Sequence, residues 1–119
     1  MHFTATVDTD VGTAKSANQD SALIKHAAAK GKEILMAMIC DGIGGLDKGE
    51  LASAAVVKGF SKWFDEELPY ELKNLDMQAV ADKWKKILKG LNKRIADYGK
   101  RSGIMLGTTF TGVLFAEDR

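Results

Sequence analysis

Apolar residues in this chain switch between two periods, and each switch marks a candidate element. Phe3, Ala5 and Val7 alternate with polar neighbours, the period of a half-buried strand, and lead into residues 8–21, rich in Asp, Gly, Ser, Thr and Asn. Residues 22–26 form a second predicted strand, and residues 27–32, with Gly31, make a hairpin return. Residues 34–40 are unbroken apolar positions, the pattern of a strand buried on both faces. Residues 49–68 then carry Ala52, Ala55, Val56, Phe60, Trp63 and Phe64 at helical spacing, with Pro69 as a stop. A second helix is predicted from Asn74 or Asp76, either of which can cap its free N–H groups. Its stripe is Val80, Trp84, Ile87, Leu88, Leu91, Ile95 and Tyr98, and Gly99 is a natural end. The two tryptophans lie on apolar stripes and are expected in the core. Residues 108–115, rich in Thr, Val and Phe, predict a last strand. The pattern is that of a small meander and two antiparallel helices packed on a sheet, within one domain.

The central strand ends in Asp41-Gly42-Ile43-Gly44-Gly45. Strand ends are where ligands gather in α/β proteins, and glycine lets a backbone approach a ligand closely. The same segment is equally compatible with a tight turn that begins with Asp.

Composition narrows the function classes. Of 119 residues, 45% are hydrophobic and 28% charged, as in ordinary globular domains. A net charge of +1 gives no electrostatic reason to expect nucleic acid or an anionic membrane. The one cysteine, Cys40, lies in the apolar strand and is expected as a buried thiol in a reducing, cytoplasmic setting. No apolar run approaches the roughly 20 residues that span a bilayer, and no leader segment is expected.

Candidate chemistry resides in two carboxylates on separate segments, Asp20 in Asn18-Gln19-Asp20 and Asp41, with Lys15 nearby in sequence. Carboxylate and carbonyl oxygens suit hard divalent ions such as Mg²⁺ and Mn²⁺, and a neighbouring cation suits an anionic substrate. A phosphate-binding loop of the nucleotide type is a poor match, because residues 42–45 are not followed by Lys-Ser/Thr. His2 is terminal and His26 lies on a predicted strand, so neither is a catalytic candidate.

Three motifs occur in order: Asp10-x-Gly12-x-x-Lys15-x-x-Asn18-Gln19-Asp20-Ser21, then Asp41-Gly42-Ile43-Gly44-Gly45 followed by Gly49-Glu50-x-Ala52-Ser53, then Gly107-Thr108-Thr109 before a strand. Together they resemble the metal-dependent serine/threonine protein phosphatases of the PP2C (PPM) family in their bacterial form, over residues 3–116. The resemblance implies an α+β fold, an αββα sandwich of which residues 1–119 would be the N-terminal portion, roughly half. It implies two Mn²⁺ or Mg²⁺ ions, with Asp41 bridging them, Gly42 contributing its carbonyl, Asp20 serving the metals directly or through water, and Lys15 gripping the substrate phosphate. The implied reaction is hydrolysis of phosphoserine and phosphothreonine in proteins by a metal-activated water. Glu50 and Ser53 are expected to hold the following helix to the glycine loop.

The chain departs from the family pattern in three ways. Lys15 stands where arginine is usual and lacks the bidentate fork. Ile43 stands where eukaryotic members carry a histidine proposed as general acid. The segment with the family's later metal aspartates has no counterpart, and Glu117 and Asp118 match no motif. An incomplete site is therefore expected, with self-association or pairing with a C-terminal half. A non-catalytic interaction or regulatory module is the alternative function.

Overall fold

The hairpin around Gly31 organises the sheet. A two-residue turn joins β2 (Asp20–Ala29) to β3 (Lys32–Gly44), so Ala29 faces Lys32 and the ladder runs back without interruption to Asp20 opposite Asp41. The computed structural model describes residues 3–8, 20–29, 31–44 and 48–118. β1 (Phe3–Asp8) pairs antiparallel with the outer edge of β2. On the far side of β3 lie β4 (Leu106–Thr108) and β5 (Thr111–Asp118), also antiparallel to it. These two strands keep one register, with Gly42 opposite Thr108 and Ile39 opposite Thr111, and break only at Thr109 and Phe110.

Burial of β3 follows the two-residue period of the pleat. Ile34, Met36, Met38 and Cys40 are buried, whereas Glu33, Leu35, Ile39 and Asp41 are exposed. The expectation of a strand buried on both faces is thus corrected: among the described residues only one face of β3 is covered. The apolar run continues past residue 40 as strand, so Asp41, Gly42, Ile43 and Gly44 extend β3 rather than forming a loop.

The covering layer is helical. α1 (Gly49–Glu66) lays Ala52, Val56, Phe60, Trp63 and Phe64 on the sheet. Pro69 falls in the first turn of a short helix, α2 (Leu68–Glu71), where its missing N–H costs nothing; it starts an element as well as ending one. A 3₁₀ turn (Leu72–Asn74) leads to α3 (Met77–Ser102), capped by the Asp76 carboxylate, which accepts from the N–H groups of Gln78 and Ala79. α3 runs beyond the expected end at Gly99. Gly99 is buried inside it, and the stop is Gly103 at φ 70°, where the Ile104 N–H returns to the Gly99 carbonyl at 2.9 Å.

Trp63 lies in the core and Trp84 packs against it, as expected. Trp63 and Trp84 meet edge to face at 5.8 Å, and Phe60 stacks on Phe110 at 4.8 Å. The fold is α+β, an antiparallel sheet with its helices on one side. No helix among the described residues is long and apolar enough to cross a membrane.

Candidate functional site

Asp41 lies in the middle strand, where both neighbours reach it. On one side, the Thr109 N–H donates to the Asp41 carbonyl at 2.9 Å, and the Asp41 N–H donates to the Thr109 hydroxyl at 3.2 Å. The Thr108 hydroxyl donates to the same Asp41 carbonyl at 3.2 Å. The backbone groups of Asp41 are therefore spent on the Thr108-Thr109 side. On the other side Asp20 stands directly opposite, and because Asp41 bonds away from it, the two form a non-hydrogen-bonded antiparallel pair. Such pairs bring side chains closest, with Cα atoms about 4.5 Å apart.

The electrostatics follow from that closeness. Asp20 holds its proton more tightly than its ordinary value of 3.8, first because its carboxyl hydrogen-bonds the Asp41 carboxyl, then through partial burial and like-charge repulsion. Two carboxylates this close repel each other when both are ionised, and a proton at acidic pH or a bound divalent cation would relieve that repulsion. The donor set thus fits a hard metal ion in chemistry, with two carboxylates and the Gly42 carbonyl beside them. Alternation along β3 turns the backbone groups of Gly42 to the β2 side, away from Thr108. Among the described residues no group of three or more His, Cys, Asp or Glu gathers to hold a metal.

Close packing holds this end of the sheet in place. A Cβ on Gly44 would stand 2.6 Å from the Leu106 side chain and 2.7 Å from the Gly49 backbone nitrogen, so glycine is required where β3 passes the start of α1. Beneath the carboxylates, the Ser21 and Ser53 hydroxyls meet at 3.0 Å, and Ser53 also donates to the Glu50 carbonyl at 3.2 Å. Ser53 thus ties α1 to β2, the strand that carries Asp20.

Of the predicted site residues, the structure brings together Asp20, Asp41 and Gly42. Lys15 and Gly45 lie outside the described residues, as do Asp10, Gly12, Asn18, Gln19 and His2. Ile43 is exposed on the carboxylate face, and His26 pairs with Glu33 at 2.7 Å, farther along the sheet. Sequence reasoning assigned no role to Thr108, Thr109 or Ser21. The two threonines follow a glycine and precede a strand, which is the signal that marks them. Cys40 is fully buried, and burial pushes its thiol up to about 11, which makes it a poor nucleophile.

The chain matches no family model, no curated protein and no solved structure.

Proposed function

We propose that the protein is a metal-dependent phosphoester hydrolase of the PP2C (PPM) type, acting on phosphoserine and phosphothreonine in proteins. The observation that carries the reading is the direct pairing of Asp20 with Asp41 at the end of the sheet where Thr108 and Thr109 clasp the Asp41 backbone. Segments of all three sequence motifs meet there. Asp20, Asp41 and the Gly42 carbonyl would hold Mn²⁺ or Mg²⁺, which when bound supplies an acidified water and charge compensation on phosphoryl oxygens. The chain's own part is positional. The clasp by Thr108 and Thr109 and the Ser21–Ser53 bridge keep the two carboxylates on one face, and Lys15 is the proposed phosphate contact. In this reading the sheet and its helices form half of an αββα sandwich, and the site is partial.

A second reading has its own support. Only two carboxylates gather among the described residues, which suits a non-catalytic interaction or regulatory module that kept the fold. Enzyme assay separates the two. The complete protein should release phosphate from a phosphothreonine peptide in Mn²⁺, and Asp41→Ala should abolish the release. Turnover that is unchanged by Asp41→Ala rules out the proposed site.

A further inference from the structure

Between α1 and α3 runs a groove that opens away from the sheet. Its α1 wall is the row Leu51, Ala55, Lys58 and Lys62; its α3 wall is Lys86, Gly90, Arg94 and Tyr98, spaced four residues apart and therefore on one side of the helix. The buried Leu91 and Ile95 line it between the walls, with Leu106 of β4 at one end. From Lys86 to Tyr98 it runs about 18 Å at the helical rise. Around Leu106 it opens to about 680 Å³, within the size of binding clefts. Gly90 keeps the α3 wall low, since nothing lies within 4 Å of where a Cβ would stand. A second half packed on the uncovered sheet face would leave this groove open.

The charge around the groove is one-sided. α3 carries eight lysines and arginines and two aspartates, although the whole chain has a net charge of only +1. Lys58, Lys62, Lys86 and Arg94 border the groove, are exposed, and form no ion pair among the described residues. Glu67 is the one acid in the lining among those residues, and Lys83 neutralises it at 2.9 Å. Four unpaired cations beside an apolar lining suit an occupant with several negative charges and an apolar surface of its own.

The spread of the cations decides the kind of occupant. Lys86 and Arg94 stand about 12 Å apart along α3, with Lys58 and Lys62 across from them on α1, a wider span than a single carboxylate or phosphate group covers. Nucleic acid, bound through its phosphates, would leave the apolar lining uncovered. An anionic bilayer is entered by an exposed apolar helix face, and that of α3 is buried in the core. An extended peptide needs a strand edge for its backbone groups, whereas both walls here are helices; a helical occupant satisfies its own. We infer that the groove receives an acidic amphipathic helix from a partner protein, its apolar stripe on Leu91, Ile95 and Leu106 and its carboxylates against the flanking cations. The inference does not rest on the proposed chemistry of Asp20 and Asp41, and each can fail without the other.

Fluorescence anisotropy on the 119-residue chain tests this directly. The probe is a labelled peptide of about 14 residues, close to the span of the groove, with leucines at i, i+3, i+4 and i+7 spacing and glutamates flanking them. Saturable binding is expected below about 100 µM. Lys62→Glu with Arg94→Glu should weaken it at least about tenfold, whereas Lys89→Glu with Lys93→Glu, which replaces two exposed cations of α3 outside the groove, should change it less than about twofold. A peptide of the same composition with its leucine stripe scrambled should bind at least about tenfold more weakly. Absence of wild-type binding in that range overturns the inference. So do equal losses in the two double variants, equal binding of the scrambled peptide, or tighter binding of a single-stranded oligonucleotide of similar length. Should the groove variant fail to fold, amide shifts of the ¹⁵N-labelled wild-type chain decide. Peptide-induced changes centred on the residues that border the groove support the inference, and changes centred elsewhere overturn it.

Discussion

Thr109 and Asp41 hold each other by two hydrogen bonds: the Thr109 N–H donates to the Asp41 carbonyl at 2.9 Å, and the Thr109 hydroxyl accepts from the Asp41 N–H at 3.2 Å. A side chain thus stands in for the backbone carbonyl that a regular ladder would present, at the point where β4 gives way to β5. Thr109→Val keeps the shape and removes the acceptor. It is expected to destabilise the protein by about 1 kcal/mol, the worth of one net hydrogen bond. Urea unfolding checks this, and a midpoint equal to wild type would show that the clasp contributes nothing.

The Asp20 carboxyl makes stability depend on pH with a definite sign. Asp20 binds its proton more tightly in the folded chain than its ordinary 3.8 in the unfolded one, so between those two values the folded state carries more protons. That contribution is present below 3.8 and lost as pH rises through the raised folded value. Asp20→Asn removes it. The variant's stability relative to wild type should therefore increase as pH is raised through this window, then level off. Urea midpoints at a series of pH values give the comparison, and a difference that does not change with pH would contradict the pairing.

Lys25 is an unusual occupant of the helix-facing side of the sheet. It is 4% exposed, its Nζ is 2.5 Å from Asp65 Oδ1 on α1, and it lies 5.6 Å from the centre of the Phe64 ring. Asp65→Ala strips the carboxylate from a buried ammonium. Because Asp65 itself is half exposed and partly screened, the cost is put at about 1–3 kcal/mol. Adding Lys25→Met should recover most of it. Chemical denaturation of the single and double variants measures the coupling, and strictly additive effects would remove the pair as a stabilising contact.

Two glycines of α3 should respond oppositely to alanine. A Cβ on Gly99 would meet the Ile104 carbonyl oxygen at 2.7 Å, so Gly99→Ala should destabilise by roughly 1–3 kcal/mol. Gly90 has nothing within 4 Å, so Gly90→Ala should stabilise by about 0.5–1 kcal/mol through helix propensity alone. Thermal melts of the two variants would show shifts of opposite direction; shifts of the same sign would contradict the packing at Gly99.

Those glycines also show why some features were legible in the sequence and others were not. Gly99 and Gly103 are equal candidates for a helix stop by local rules; it is Gly103 that takes the left-handed φ of 70°, while the Ile104 carbonyl packs against Gly99 inside the helix. The first three strands, both long helices and the Asp76 cap follow from local periodicity and capping chemistry, whereas the expected strand over 108–115 is divided at Thr109 and Phe110 into the end of β4 and β5. Exposure of Leu35 and Ile39 did not, because an apolar run looks the same whether one or two layers cover it. The pairing of Asp20 with Asp41 was closer to hand. A two-residue turn at Gly31 sets the register, and counting outward from it places the two aspartates opposite each other. Lys25 and Asp65 are 40 positions apart on different elements, and no local pattern announces their contact.

Asp20 and Asp41 are proposed to act together on a divalent cation, and calorimetric titration with Mn²⁺ near neutral pH tests this directly. The wild-type protein is predicted to show saturable binding that Asp41→Asn, folded by circular dichroism, loses. No saturable heat from the wild type, or equal binding by Asp41→Asn, would contradict it.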